Sequence, residues 1–497
     1  MDIQAILQHP KDTVVTLTKE ARPGDRVLYE GGNITAEDCI PQWHKIALSD
    51  ISQGQVVYKY GEEIGKATTF IGKGHRVDDK NLAGLSRKYE DEYVGDVPWE
   101  APKFTPYTDE PLYFLGYRRS EGRPGIRNHV LFLPTCACSS ETCRVAASLV
   151  RGSVHLTFDS GCGDVAASID MTQRILMGFA LHPNVYGVVI IGLGCESMSH
   201  RELKEKLQKL TKKPIISFGI QEEGGTLRTL EKAVRAGKKL SAEASMQEKE
   251  KFPISELLLG IECGGSDATS GIAANPAVGN LSDRLIDMGG SAMISESIEW
   301  IGAEHILARR GLTARIHDEI IKTCEDYENH ISEAGQNCRE GQPAPGNKAG
   351  GLSTLEEKSL GCIKKGGTRP ITEVLPQAVR PSKQGALVMD TAGFDVSSIT
   401  SMAASGCQAI IFTTGLGTPT GLSMVPVIKV TANQHTAQWM EDNIDVDLSP
   451  IIRGEETIEE AGKRLLLETK EICDGKVTKA EAYGFSDIAV DHVCRYV

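Results

Sequence analysis

The chain has 497 residues, 40% hydrophobic and 24% charged, with 67 acidic against 54 basic side chains and a formal net charge of −13. That balance belongs to a soluble globular protein too long for one core, and it disfavours nucleic acid and anionic membrane surfaces as partners. The one basic stretch, Lys204 to Lys213, has Leu203, Leu207 and Leu210 at helical spacing and reads as a solvated helix face.

The amino terminus, Met1-Asp2-Ile3-Gln4-Ala5, has no basic segment leading into an apolar core, and the most apolar run, Val185 to Leu193, is too short to span a bilayer. Thirteen cysteines without an export signal point to reduced thiols and a cytoplasmic protein.

Residues 1–77 read as a small β module, with strands at Thr13 to Leu17, Lys45 to Leu48 and Gln55 to Tyr60 between Gly, Pro and Asp turns. Residues 78–111 form a polar linker rich in Pro and acids, whose apolar anchors Trp99 and Phe104 suggest a segment draped over a neighbour. From 112 to 245 strands and helices alternate, as in an open α/β domain, and a second α/β region occupies 246–497. Its strands are expected at Leu257 to Ile261, Ala292 to Ser295, Ala386 to Met389 and Ala409 to Phe412, with helices near Ser282 to Met288 and Leu312 to Ile331. The stretch Gly341 to Gly351 reads as a Gly/Pro-rich loop, and long loops within compact domains are often functional.

Cys138, Cys162, Cys195 and Cys263 each follow a short apolar run that reads as a buried parallel strand. The carboxyl ends of such strands form the ligand crevice of an α/β sheet, so the four thiols are expected to gather at one edge as a metal site. The alternative for each is an inert core cysteine. His44 and His75, in the β module, are further candidate ligands, because imidazole binds ferrous iron.

Three more strand-end segments carry chemistry. Cys263-Gly264-Gly265-Ser266-Asp267 allows close backbone approach to a ligand and offers polar groups, although a tight turn with capping Ser and Asp looks the same. Thr413-Thr414-Gly415 ends a strand with hydroxyls and free amides, a cradle for an anion or an ordinary turn. Gly346-Asn347-Lys348-Ala349-Gly350-Gly351 offers a lysine that acts as a base, binds a carboxylate, or is simply exposed.

Together with Gly125-Ile126-Arg127-Asn128, Gly192-Leu193-Gly194-Cys195-Glu196, His44-Lys45-Ile46-Ala47-Leu48 and Lys59-Tyr60-Gly61, these segments resemble the altronate/galactarate dehydratase family over nearly the whole chain. The resemblance implies a SAF-like β domain followed by two Rossmann-like α/β domains. It implies an iron-dependent hydro-lyase that eliminates water from a sugar acid to give a 2-keto-3-deoxy acid. Two positions depart from the family pattern: Leu416 replaces the Arg of a Gly-Arg-Gly turn, and His75-Arg76-Val77-Asp78-Asp79 replaces a His-rich segment.

Elimination requires a base for the proton beside the carboxylate and a Lewis acid for the departing hydroxyl. Lys348 is the expected base and Asp267 the group that orients a hydroxyl, with Arg127, Asn128, Ser266, Asn347, Thr414 and Gly415 holding the acid. The expected cofactor is Fe2+, with Mn2+ as an alternative ion; the thiol pattern keeps an iron–sulfur cluster open. Sulfolactate sulfo-lyases look similar in architecture, so a sulfo-lyase is one alternative, and a non-catalytic sugar-acid binding protein is another. The expected partners are a small acid and a second copy of the chain in a homodimer.

Overall fold

A computed structural model describes residues 1–85, 89, 93, 95 and 111–492. Trp99 and Phe104, the expected anchors of the linker, lie outside the described residues.

The amino-terminal β module is built from short antiparallel strands, which is what alternating apolar residues between frequent Gly and Asp turns dictate. Its larger sheet has the order Gly32–Thr35, Arg26–Tyr29, Asp2–Ile6, Val14–Leu17, Lys45–Ala47, Arg76–Val77; all neighbours are antiparallel except Asp2–Ile6 with Arg26–Tyr29. A smaller sheet joins Val56–Lys59, Glu62–Ala67 and Leu82–Ala83. The last strand, Leu82–Ala83, lies beyond the expected limit at residue 77.

The second domain centres on a four-stranded parallel sheet, β1 (His129–Pro134), β2 (Ser153–His155), β3 (Val185–Gly192) and β4 (Ile215–Gly219), in the order β2-β1-β3-β4. Helices α1 (Ala137–Ser148), α2 (Ala166–Leu181) and α3 (Thr226–Ser245) cover its faces. Helices on each face bury both sides of the strands, which is why β1 and β3 are apolar without alternation.

A seven-stranded parallel sheet organises the third domain: β5 (Leu258–Cys263), β6 (Ser291–Ile294), β7 (Ile371–Leu375), β8 (Gly385–Met389), β9 (Ala409–Thr413), β10 (Val427–Thr431) and β11 (Val446–Asp447). The strand order is β7-β8-β6-β5-β9-β10-β11, with Leu259 opposite Ala292 on one side and Ala409 on the other. Every residue of β5 and β9 is buried. Each fully buried Leu or Ile there contributes about 1.5–3 kcal/mol of transfer free energy.

Helix α4 (Asn275–Asp287) packs against α6 (Ile458–Asp474), while α5 (Asp395–Ser405) packs against α2 of the second domain with Ala404 on Gly178. A two-stranded antiparallel ribbon, Tyr113–Gly116 with Glu250–Pro253, ties the entry and exit of the second domain together. The expected loop at Gly341 to Gly351 is instead largely folded: short helices occupy Cys338–Gly341 and Pro345–Ala349. Pro345 supplies the fixed φ of a helix start, which outweighs the surrounding glycines. No helix among the described residues is long and apolar enough to cross a membrane.

Candidate active site

The strand order of the third domain reverses at β5: the chain first builds outward through β6, then returns to the other side with β9. Ligands of open α/β sheets bind at such a switch, outside the carboxyl ends of the strands. Here the turn after β5 meets the turn after β9, as the amides of Gly415 and Leu416 donate to the Gly265 carbonyl at 3.2 and 2.9 Å. A side chain at Gly415 would put its Cβ 2.2 Å from Asp267 Cγ, so only glycine lets the two turns touch.

Asp267 is held from several sides. Its Oδ1 accepts from the Thr269 amide at 2.9 Å, the Thr269 hydroxyl at 2.6 Å and the Ser270 amide at 3.2 Å, and its Oδ2 accepts from Asn433 Nδ2 at 2.8 Å. Burial raises the carboxyl's pKa, and these donors oppose the rise. Asn347 Nδ2 donates to the Ser266 carbonyl at 2.8 Å, and the Ala268 amide donates to the Gly350 carbonyl at 3.0 Å, which docks the Pro345–Ala349 helix on this turn. Lys348, next along that helix, is half-buried. Thr414 Oγ1 accepts from the Gly417 amide at 2.9 Å. Asp267, Ser266, Asn347, Lys348, Thr414 and Gly415, far apart in sequence, thus belong to one set of interlocked turns.

Behind these turns lie two buried acidic groups. Glu262, Glu296 and Asp395 each present a carboxylate oxygen within 4.8 Å of the others. Asp395 abuts the β5 turn, its Oδ2 lying 2.0 Å from where a Cβ on Gly264 would stand. Among the described residues none of the three makes a salt bridge; Glu262 receives the hydroxyls of Ser398 and, at 3.4 Å, Ser295, the Cys263 amide at 3.1 Å, and the carboxyl of Glu296. Burial pushes Asp395 up to about 7 with Glu262 and Glu299 adding to it, and burial and the same neighbours push Glu296 well up. Three carboxylates this close, two of them buried and none in a salt bridge, are costly unless they share protons or a metal ion. Oxygen-only donors suit a hard divalent ion, Fe2+ and Mn2+ included.

The second group, Cys263, Glu299 and Cys362, already has its cation. Lys365 Nζ lies 2.5 Å from Glu299, Lys358 is 3.8 Å away, and together they hold the carboxyl below its usual range against the effect of burial. The Cys362 thiol donates to Glu299 Oε1 at 3.3 Å, and its interaction with Cys263 pulls Cys263 down to about 7 and pushes Cys362 up.

The β module closes one side. Lys45 Nζ donates to the Gly351 carbonyl, Ser353 Oγ and Glu357 Oε2, each at 2.8 Å, and Lys59 Nζ donates to Glu357 Oε1 at 2.7 Å. Between the module and the third domain lies a cleft of about 640 Å³ lined in part by Gln42, Trp43, Asn433, His435 and Arg453.

Several expected site residues lie elsewhere. Arg127 and Asn128 precede β1 and so stand at the amino end of their strand, away from a carboxyl-edge crevice. The Arg127 guanidinium is consumed by Glu481 at 2.8 and 3.0 Å and by the carbonyls of Ile126, Ile472 and Lys476, and Asn128 Nδ2 donates to Ala244; neither is placed to hold an acid. The four thiols do not gather at one edge, because β1–β4 and β5–β11 are separate sheets: Cys138, Cys162 and Cys195 lie on the first, and Cys263 on the second. His44 is buried with Nδ1 3.2 Å from the Gln42 carbonyl, and burial lowers its pKa. His75 is exposed and paired with Asp38 at 3.1 Å, and neither histidine joins a three-ligand group among the described residues. Sequence reasoning missed Glu262, Glu296, Asp395 and Asn433. Glu262, Glu296 and Asn433 lie at or within two residues of strand ends, and Asp395 opens helix α5.

Comparison with known proteins accords with this division of the chain. Residues 3–85 match the altronate/galactarate dehydratase SAF domain, 116–245 the second domain of D-galactarate dehydratase/altronate hydrolase, and 254–495 the D-galactarate/altronate dehydratase C-terminal domain. An altronate dehydratase of Bacillus subtilis is 32% identical over 97% of each chain. The chain belongs to the galactarate/altronate dehydratase family. Galactarate dehydratase (L-threo-forming) of Escherichia coli is another relative, 33% identical over 88% of this chain and 86% of its own length. The (2R)-sulfolactate sulfo-lyase subunit beta of Chromohalobacter salexigens is 36% identical over 76% of this chain and 96% of its own. As a member of this dehydratase family the protein is an enzyme, a hydro-lyase.

Proposed function

We propose that the protein dehydrates a sugar acid of the altronate or galactarate type to a 2-keto-3-deoxy acid, with Fe2+ as its cofactor. The observation that carries this reading is the trio Glu262, Glu296 and Asp395, the first two buried and the third half-buried, without a salt bridge among the described residues, directly behind the turns that hold Asp267 and Lys348. These three carboxylates would hold the iron. When bound, the ion supplies Lewis-acid polarisation of the departing hydroxyl.

The remaining work falls to the chain's own groups. The Lys348 amine removes the proton from the carbon beside the substrate carboxylate, the hydroxyl on the next carbon leaves, and the resulting enol becomes the keto acid. Asp267, fixed by Thr269, Ser270 and Asn433, accepts a hydrogen bond from a substrate hydroxyl and orients it. The Thr414-Gly415 turn and Asn347 line the acid's path, and the β module limits water access from one side.

The test is an anaerobic screen of aldonic and aldaric acids with added Fe2+ or Mn2+, read by keto-acid formation. Keto acid from one of these acids, abolished by Glu262→Gln, supports the reading; no product with any sugar acid overturns it. Sulfolactate belongs in the same screen, read by sulfite release. The identity to a sulfo-lyase subunit and the presence of Leu416, exposed on the β9 turn in place of a cationic clamp, favour this second reading.

A further inference from the structure

The carboxyl edge of the four-stranded sheet in the second domain has no part in the chemistry above, yet it carries three exposed cysteines, Cys138, Cys162 and Cys195. Their loops are stitched to one another by the backbone. The Ala137 amide donates to the Ser160 carbonyl at 2.7 Å, and the Ser197 amide donates to the Gly161 carbonyl at 3.0 Å. Each cysteine is therefore no more than two residues from a hydrogen bond that joins its loop to the next. Gly161 sits so close to Cys136 that a Cβ would fall 2.6 Å from the Cys136 Cα, which keeps the first two loops in contact. Cys136 itself is buried, and desolvation raises its thiol pKa, so it is outside the exposed set.

Polar atoms beside the thiols await a partner. Ser160 Oγ, Asp164 Oδ2 and Thr172 Oγ1 are buried without a hydrogen bond, in residues only 4%, 8% and 4% exposed. Asp164 and Thr172 line a small cavity together with Thr135, Gly161, Ser197 and Met198, and Ser160 directly precedes Gly161 in its wall. Orphaned hydroxyls of this kind are rare unless something else completes their hydrogen bonds, and thiolate and sulfide sulfurs accept from hydroxyls.

The spacing decides which metal species fits. Single tetrahedral zinc, with Zn–S near about 2.3 Å, requires sulfurs that nearly touch. Among the described residues, only two trios of His, Cys, Asp or Glu ligand atoms lie within 4.8 Å of one another, and neither includes these cysteines. A cluster that spreads its thiolates over separate irons accommodates the wider set. We propose that Cys138, Cys162 and Cys195 ligate a [4Fe–4S] cluster, three irons taking one thiolate each and the fourth having no cysteine. The three thiols lose their protons on ligation.

Asp491 receives the Ser397 hydroxyl in the first turn of α5 at 2.8 Å, and His492 Nδ1 lies 3.5 Å from Asp164, just before α2. The segment ending at His492 thus runs between the thiol edge and the Asp395 end of α5.

The experiment uses the full chain, incubated anaerobically with sulfide and equal amounts of ferrous and ferric iron, the proportions of the oxidised cluster. The expected result is about four iron and four labile sulfide per chain, with sulfide-to-iron charge-transfer absorption and, after one-electron reduction, a cluster EPR signal. Cys138→Ser, Cys162→Ser and Cys195→Ser each lose most of the sulfide and the EPR signal, whereas Cys39→Ser, an exposed thiol in the β module, keeps both. Alkylation of the unaltered protein gives a second readout that does not depend on how the variants fold. The three thiols are shielded when loaded and reactive after the cluster is stripped. Absence of labile sulfide, zinc uptake without sulfide, or a cluster that survives loss of all three thiols overturns the proposal. Glu262→Gln separates it from the dehydratase reading: that variant loses keto-acid formation and keeps the cluster signals, so either reading can fail alone.

Discussion

Lys45 Nζ stands 2.8 Å from Glu357 Oε2 with both side chains wholly buried, an ion pair between the β module and the third domain that spans 312 positions of sequence. Lys59 shares the same carboxylate at 2.7 Å. One carboxylate between two ammoniums leaves the trio a net cation, and burial pushes the Lys45 amine down to about 8. The trio fixes how the module lies against Gly351 and Ser353, three to five residues beyond Lys348.

Glu357→Gln leaves two buried ammoniums without a counter-charge, and the expected loss of stability is about 3–5 kcal/mol. Urea unfolding followed by circular dichroism measures it. A change below about 1 kcal/mol would mean that water reaches the lysines.

The same residue sets an acid limit. Burial alone would raise the Glu357 carboxyl, but Lys45 and Lys59 overcome it and hold it at about 2, below its ordinary 4.5. A carboxyl depressed on folding stabilises the protein above its unfolded pKa, and that stabilisation disappears as pH falls from 4.5 towards 2. The loss is on the order of 3 kcal/mol. Unfolding free energies from pH 6 to 3 should fall more steeply for the unaltered protein than for Glu357→Gln; parallel curves would remove this residue from the acid transition.

Lys348→Ala should lower kcat by about 10²–10⁴-fold if the amine is the general base. Its half-buried side chain anchors no described hydrogen bond, so the melting temperature should stay within a few degrees. Near-normal turnover excludes the role.

Gly415→Ala tests the contact between the two turns without altering a charged group. The added methyl meets Asp267 Cγ at 2.2 Å, so one turn must move, at a cost of about 1–3 kcal/mol. The expected outcome is a large fall in kcat/KM with the secondary structure retained, visible by comparing kinetics with far-ultraviolet circular dichroism.

Divalent metal should stabilise the folded chain through Glu262, Glu296 and Asp395. At a hundred times the dissociation constant the gain is about 2.7 kcal/mol. Thermal melts with and without Fe2+ or Mn2+ read it directly. Glu262→Gln removes one charge from the trio, so the metal-free variant should melt no lower than the metal-free parent and gain little from added metal.

Much of this was legible in the residues. Apolar runs such as Val188 to Ile191 and Ala409 to Phe412 announce buried parallel strands because helices on each face exclude water from both sides. The turns after them, Cys263 to Asp267 and Thr413 to Gly415, mark a crevice because strand ends are where α/β sheets bind ligands. Lys45 was not legible in this way: a lysine in a strand reads as a solvent-facing residue until Glu357 is seen beside it.

What the sequence by itself determined was the set of local elements and the family, since periodicity, turn residues and ordered motifs are properties of short stretches. Which strand ends share an edge was decided only in three dimensions, by strand order: it joined Asp267 to Gly415 and Asn433, parted Cys263 from the other three thiols, and moved Arg127 to the wrong end of its strand. Charge compensation was equally non-local. Glu299 has Lys365, whereas the trio around Glu262 makes no salt bridge among the described residues, because packing rather than spacing determines which buried charges meet.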